Sequence, residues 1–340
     1  MSGAVIPLVG GVIPVSGATA AGSAGNPAAA ASRALLSRAM KYSIVSLLAA
    51  VLATFALTAT TASPFAAAQP DAQAESAIAA GGKIDLQGAV NARDIGGYRT
   101  YDGAKVKSGK AVRADSLEKL TAADVQKLAG LNVQKVIDFR TPAEVQFAGA
   151  DKPIPGAQAV ARPIDDTGLF QKLLSVIQLR DPVKQEEMLG NGKAEEIMKG
   201  VYASFFTQQS RAGFGQTIKD LANTDKVTLY HCTAGKDRTG WLTYVTLRAV
   251  GVPERTARQD YLLSNQYRAA ADAALRQQVK QAGLMQNPDL LIPLQEVRDA
   301  YLDVAVAKIE QDYGDFGKFL TQGLGLDAGT ILKLRKNLVS

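Results

Sequence analysis

Apolar runs that alternate with helical patterns organise the chain from residue 83 onward. Short runs rich in apolar and β-branched residues predict strands at 110–113, 133–139, 158–163 and 226–230. Other segments place apolar residues at helical spacing, most clearly along 297–313. This alternation predicts an α/β fold with a central, mostly parallel sheet flanked by helices.

Helix-start signals support this division. Thr121 and Thr141 are each followed three residues later by an acid, Asp124 and Glu144, and Pro142 follows the second threonine. A threonine cap with an acid at the third helical position is typical of a helix N-terminus, as is proline at the first. Further along, the segment 169–202 predicts a helical insert, broken at Pro182 and at the glycines of 190–192.

The first 68 residues differ in composition from the rest of the chain. Residues 1–70 contain no acid, and Met40 and Lys41 precede an apolar run at 44–57. That run is shorter than the ~20 residues of a membrane-spanning helix, and small residues at 66–68 are typical of a signal-peptide cleavage site. We therefore predict a leader and signal peptide over 1–68, with the signal starting at Met40. A linker over 69–82 and one domain over 83–340 follow. A membrane anchor is the alternative.

A signal peptide predicts export to the periplasm or beyond the cell. The predicted leader also accounts for part of the net charge of +6, because it contains three of the basic residues and no acid. Basicity is then a weak argument for nucleic acid, and no aromatic-basic stripe supports it. We expect no nucleic-acid partner.

The predicted strand at 226–230 leads into a polar loop at 231–240 and then an apolar helical pattern at 241–250. Strand, loop and helix in this order direct backbone N–H groups at an anion. Cys232 and Arg238 lie in the loop with the spacing C-x5-R. A helix N-terminus and cationic neighbours favour a nucleophilic thiolate, and a guanidinium can hold two phosphate oxygens.

Cys232 is the only cysteine of the chain and His231 the only histidine. A lone cysteine is often a small core residue, but this one lies among Gly, Lys, Asp, Arg and Thr, which is a poor core sequence. One histidine and one cysteine are too few for a zinc site. We therefore predict a catalytic thiol that needs no metal and no cofactor.

The loop sequence HCTAGKDRTG resembles the signature of cysteine-dependent protein tyrosine phosphatases. Its Lys-Asp pair is similar to the secreted bacterial tyrosine and lipid phosphatases, the branch typified by mycobacterial and Listeria enzymes. Weaker matches follow in the family's order from residue 91 onward: NARDIGGY, RADSL, VIDFRTPAEV, DYLLSN and DYGDF. The resemblance implies an α/β phosphatase domain, with helices at 169–202 as a lid over the site or as plain core packing.

The resemblance also implies phosphomonoester hydrolysis through a cysteinyl-phosphate. Cys232 attacks phosphorus, while Arg238 and the loop amides hold the equatorial oxygens. Thr239 donates to the sulfur as it leaves. The other residues assigned to substrate binding and loop orientation are His231, Thr233, Ala234, Gly235 and Lys236, of which the lysine supplies charge for a second phosphate.

A general acid must protonate the leaving oxygen. Asp237 is the first candidate, since the family's loop has an aspartate there, and Asp138 is the second. Asp165 and Asp166 come third. Asp138 has an alternative role as a cap or as an ion-pair partner of Arg140.

Asp260, in the segment DYLLSN, has two interpretations: a buried partner of Arg238 or of the loop amides, and a salt bridge on a helix face. The expected partners of the whole protein are a phosphotyrosine protein or a phosphoinositide, the latter with transient membrane-surface contact. Two other classes stay open. One is a sulfurtransferase-type thiol enzyme, and the other is a secreted phosphate-binding effector without turnover.

Overall fold

A computed structural model of the chain describes residues 82–340. The predicted leader at 1–68 and all but the last residue of the predicted linker lie outside the described residues. Within the described part, no helix is both long and apolar enough to cross a membrane.

Five strands form one sheet at the centre of the domain. In chain order they are β1 (Arg93–Asp94), β2 (Ala111–Ala114), β3 (Val133–Asp138), β4 (Gln158–Ala161) and β5 (Val227–His231). Their order across the sheet is β1-β2-β5-β3-β4, and only the short β1 runs antiparallel to its neighbour. This mixed, mostly parallel sheet confirms the predicted fold class.

The central strand β5 is buried along its whole length, as expected for a strand covered on both faces by helices. Register pairs its last residue, His231, with Ala114 of β2 on one side and Asp138 of β3 on the other. Three strands therefore end together at one edge of the sheet. In open α/β sheets, ligands bind at this carboxyl edge.

Helices cover the sheet. Those of seven residues or more are α1 (Ala122–Gly130), α2 (Pro142–Ala148), α3 (Leu169–Leu179), α4 (Pro182–Leu189), α5 (Lys193–Ser204), α6 (Gln208–Ala222), α7 (Arg238–Ala249), α8 (Glu254–Gln281), α9 (Asp299–Tyr313) and α10 (Ala328–Leu338). Shorter helical turns are Pro288–Leu291, Ile292–Gln295, Phe316–Lys318 and Phe319–Gly323. Both predicted threonine caps are present as reciprocal capping boxes at α1 and α2.

The predicted insert forms α3, α4 and α5, which differ in burial. Helix α5 packs on α9 and buries Ala194, Met198, Val201 and Tyr202. Helix α3 is more superficial, since only Val176 and Ile177 are fully buried. The structure therefore places α5 in the core of the domain, whereas α3 and α4 have the partial exposure expected of covering elements.

Candidate active site

The loop at 232–237 connects β5 to α7 at the carboxyl edge of the sheet. Gly235 has φ +65°, and a Cβ there would lie 2.5 Å from the carbonyl oxygen of Ala114. Any other residue would clash with β2, which explains the glycine. Helix α7 begins at Arg238, three residues before the helical pattern at 241–250 predicted, so Arg238 and Thr239 lie in its first turn. Amide groups at this helix start can face an anion.

Three neighbours hold the loop's carbonyl oxygens from outside. The Ser116 amide donates to Thr233 at 3.2 Å, the Asn91 side chain donates to Ala234 at 3.0 Å, and the Arg113 guanidinium donates to Gly235 at 2.7 Å. In a trans peptide the N–H points opposite to the preceding carbonyl. Fixing these carbonyls outward therefore turns the next three amides towards the inside of the loop, where an oxyanion can accept from them.

Cys232 is 2% exposed and forms no disulfide. Two guanidinium groups lie within its electrostatic reach. Burial lowers the pKa of Arg238 and of Arg268, but acidic partners raise both above the ordinary value, and Cys232 contributes to this in each case. Arg268, on α8, also donates to the Ala234 carbonyl at 3.4 Å. This second cation was missed in the sequence, where the segment DYLLSN at 260–265 drew attention to Asp260 and not to Arg268.

Arg238 is held by a carboxylate that the sequence indicated only as a helix cap. Its Nη1 and Nη2 donate to Glu144 Oε2 and Oε1 at 2.8 and 2.6 Å. Glu144 also accepts from the Thr233 hydroxyl and, as the capping residue of α2, from the Thr141 amide. The guanidinium is thus fixed in one orientation before any phosphate arrives, which is the preorganisation that electrostatic catalysis needs.

We expect Glu144→Gln to lower the free energy of unfolding at neutral pH by about 3 kcal/mol. Burial alone would raise the pKa of Glu144, but the charge and hydrogen bonds of Arg238 lower it to about 2. A lowered folded-state pKa gives stability that is present above the ordinary value and is lost as pH falls towards 2. Denaturant titrations between pH 7 and 2 should therefore show the difference from wild type shrinking with acidity.

The exposed pair Glu196–Lys199 supplies the control. Glu196→Gln should change stability by less than about 1 kcal/mol at every pH. A Glu144→Gln variant that matched this control at neutral pH would show that the buried pair does not stabilise the fold.

His231 is buried, and its Nε2 lies 2.8 Å from Asp151 Oδ2. Burial lowers the pKa of His231, but Asp151 outweighs this and raises it above the ordinary value. Asp138, Asp151 and His231 have ligand atoms within 4.8 Å of one another, a spacing that a metal could use. However, Arg140 Nη2 already donates to both carboxylates, at 2.9 and 2.7 Å. The guanidinium supplies the positive charge at this position.

The contacts of Asp138 are those of an ion-pair partner of Arg140, the alternative role given above. Both of its oxygens accept from Arg140. The side chain lies beside His231, at 3.8 Å. Asp138 therefore belongs to the ion-pair network behind the loop.

Asp237 and Lys236 pair with each other. The Lys236 ammonium lies 2.8 Å from Asp237 Oδ2 and also donates to the Glu296 carbonyl at 3.3 Å. Although it was predicted to face a second phosphate, Lys236 is only 3% exposed. Asp237 Oδ1 accepts from the Tyr202 hydroxyl at 2.9 Å.

The remaining acid candidates differ in exposure. Asp166 is buried and accepts from the amides of Gly168 and Phe170 at the start of α3. Burial and the charge of Glu144 raise the pKa of Asp166. Asp165 is exposed and accepts from the Thr167 amide. Asp166 lies within electrostatic reach of Arg238.

Thr239 is fully buried, and its hydroxyl has no hydrogen-bond partner within residues 82–340. A buried hydroxyl without a partner is costly and points to a bond formed only in a reacting state. The predicted donation to the Cys232 sulfur is such a bond, and it is not made in this structure.

Asp260 is buried, as the first of its two interpretations held, but its partners are neither Arg238 nor the loop amides. It binds Arg113 Nη1 at 2.6 Å and Arg93 Nε at 3.1 Å, and it accepts from the Tyr98 hydroxyl at 3.0 Å. Because Arg113 also donates to the Gly235 carbonyl, Asp260 supports the loop from one step away.

A buried thiol in an anion-binding loop, with a carboxylate-held arginine six residues on, defines the class of cysteine-dependent phosphatases. Comparison with known proteins agrees. The profile of the tyrosine phosphatase family matches residues 84–340, so the chain belongs to the tyrosine phosphatase family. The family and enzyme class predicted from the loop are thereby confirmed.

Among its relatives, a Cupriavidus necator protein that carries the name of a tyrosine-protein phosphatase is 30% identical over 263 residues, 76% of this chain and 91% of the relative. The triple specificity protein phosphatase PtpB of Mycobacterium tuberculosis is 26% identical over 272 residues, 74% of this chain and 97% of that protein. The Pseudomonas aeruginosa phosphatase TpbA, solved with phosphotyrosine, aligns over 60% of this chain and 88% of its own, with 14% identity and a TM-score of 0.22.

Proposed function

We propose that this phosphatase hydrolyses phosphotyrosine in proteins through a phosphoryl group carried on Cys232. The observation that supports this most is the fixed arginine. Glu144 holds Arg238 at 2.6 and 2.8 Å beside the thiol, on a loop whose carbonyls are bonded outward. That arrangement suits a dianion with three equatorial oxygens.

The reaction has two steps. In the first, the Cys232 thiolate forms the S–P bond as the P–O bond to the leaving group breaks, and Asp237 gives its proton to the departing oxygen. In the second, water attacks phosphorus, the S–P bond breaks, and the Asp237 carboxylate takes a proton from the water. Thr239 donates to the sulfur as it leaves. Inorganic phosphate and the original thiolate are the products.

We assign the acid role to Asp237 because the other carboxyls are committed elsewhere. Asp138 is held at both oxygens by Arg140, and Asp166 accepts from two amides at the start of α3. Asp237 has no capping bond, although it precedes α7. Its partners are the side chains of Lys236 and Tyr202, and the lysine can exchange as substrate enters.

Asp237→Asn tests this assignment through the leaving group. A good leaving oxygen departs without a proton, so the variant should lose about 10²-fold in kcat on phosphotyrosine and little on an activated aryl phosphate. The alkaline limb of its rate profile should also flatten. Asp138→Asn is the control, and we expect it to slow both substrates equally. If Asp237→Asn slows both substrates equally, the aspartate only shapes the loop and the acid role passes to another carboxyl.

A phosphoinositide is a second candidate substrate, and Lys236 is the residue that supports it. Its ammonium lies beside the loop but is bonded to Asp237 and Glu296. A second phosphate would have to replace these partners. Such a substrate would also bring the protein into transient contact with a membrane surface.

We also propose export to the periplasm or beyond the cell. The support is the acid-free leader, with its basic start at Met40 and the short apolar run at 44–57. The N-terminus of the exported protein, read by mass spectrometry, should lie near Gln69.

A further inference from the structure

Two buried tyrosines connect Asp237 to the helical insert. Tyr202 lies on α5 and Tyr261 on α8, and both are fully buried. Their hydroxyl oxygens are 2.7 Å apart. Tyr202 donates to Asp237 Oδ1 at 2.9 Å, and Tyr261 lies 3.3 Å from the Arg298 carbonyl oxygen. The three side chains form one continuous row of hydrogen bonds from the loop into the core.

The proton count fixes the direction of this row. Each hydroxyl has one proton to donate. With the Tyr202 proton on Asp237, the 2.7 Å contact requires Tyr261 to donate to the Tyr202 oxygen. Tyr261 thereby keeps the Tyr202 proton pointing at the carboxyl group. Burial holds the pKa of both hydroxyls well above the ordinary value, so both remain neutral donors across the working range of pH.

We propose that Tyr202 and Tyr261 are positioning residues that hold Asp237 in the orientation needed to protonate the leaving group. This inference rests on the proposed function, in which Asp237 is the acid. A carboxyl group can rotate about its own bond, and Lys236 contacts both of its oxygens. The Tyr202 hydroxyl distinguishes the two, since it binds Oδ1. Oδ2 is left to exchange with Lys236 and to carry the transferred proton.

The proposal gives the insert a role other than covering the site. Helix α5 is fixed by packing on α9, and its Glu195 pairs with Arg298 at 3.0 Å. The Arg298 carbonyl oxygen also lies 3.3 Å from the Tyr261 hydroxyl, whose single proton is directed to Tyr202. Through these contacts the insert holds Tyr202 in position to orient the Asp237 side chain.

Tyr202→Phe removes the hydroxyl and keeps the ring. We expect it to slow phosphotyrosine hydrolysis about tenfold, the worth of one hydrogen bond to a carboxyl group on which negative charge develops as its proton leaves. Activated aryl phosphate hydrolysis should slow less than about twofold. Tyr261→Phe should act in the same direction with a smaller effect, because Tyr202 can still donate. Tyr301→Phe is the matched control. Its ring lies 6.1 Å from that of Tyr202, but its hydroxyl donates to the Pro293 carbonyl, so both rates should stay unchanged.

The decisive measurement is Tyr202→Phe in the Asp237→Asn background. If the tyrosine acts through Asp237, the double variant should hydrolyse phosphotyrosine no more slowly, relative to the activated aryl phosphate, than Asp237→Asn alone. Equal slowing of both substrates by Tyr202→Phe would overturn the proposal, as would a full additional selective loss in the double variant. Failure of the proposed function is recognised separately. In that case wild type does not hydrolyse phosphotyrosine, or Asp237→Asn slows both substrates equally. Either result also rules out the positioning role of the two tyrosines.

Discussion

Replacing Cys232 by serine is expected to reduce kcat by roughly 10⁴-fold or more on every substrate, because the alcohol is a far weaker nucleophile than the thiolate. The loop should survive the change. Its carbonyls are held by Ser116, Asn91 and Arg113, through hydrogen bonds in which the sulfur takes no part. The variant should therefore stay folded and still bind phosphate, as measured by calorimetry beside steady-state kinetics.

Ser116→Ala is the control. The hydrogen bond to the loop comes from the Ser116 backbone amide, so the substitution keeps it. It should keep most of the activity. Substantial turnover by Cys232→Ser, after wild-type contamination has been excluded, would rule out a covalent mechanism on this thiol.

Arg238→Lys should have the second largest effect, about 10³-fold in kcat. An ammonium keeps the charge but cannot donate two parallel hydrogen bonds. It therefore cannot bind Glu144 and also hold two phosphate oxygens. The affinity for phosphate should fall together with kcat. Both quantities can be read from steady-state kinetics and from inhibition by inorganic phosphate.

The matched control is Arg248→Lys on the same helix. Arg248 pairs with Glu254 at 2.6 Å, outside the loop, and its replacement should change kcat less than about twofold. If Arg238→Lys behaved like this control, the bidentate geometry would not be what stabilises the transition state.

Those features of the fold that depend on neighbouring residues were predictable from the sequence. The capping boxes at Thr121 and Thr141 and the break at Pro182 are set within one turn of chain. The loop is local too, because its glycine, thiol and arginine lie within seven residues. The start of α7 was placed too late, since the polar residues Arg238 and Thr239 hide a helical turn that tertiary contacts stabilise.

Contacts between distant segments could not be predicted in this way. Glu144 shows a complete capping signal in the sequence, and that local role is real, but its bond to Arg238 spans 94 positions. For Asp260 the sequence left two interpretations open, a partner of Arg238 or of the loop amides and a salt bridge on a helix face. In the structure it binds Arg93 and Arg113, which lie 167 and 147 positions away. Tyr202 belongs to a segment whose alternating charges indicate only an amphipathic helix. Pairings of this kind depend on which helices pack together.

The most direct test of the covalent mechanism is to trap the phosphoryl group on the enzyme. Wild type mixed with an activated aryl phosphate, quenched in acid within milliseconds and digested, should yield a peptide that contains Cys232 and carries the mass of one phosphoryl group. Cys232→Ser treated identically should yield none. A phosphoryl group found on another residue, or turnover without any labelled peptide under conditions where its hydrolysis is rate-limiting, would contradict the account.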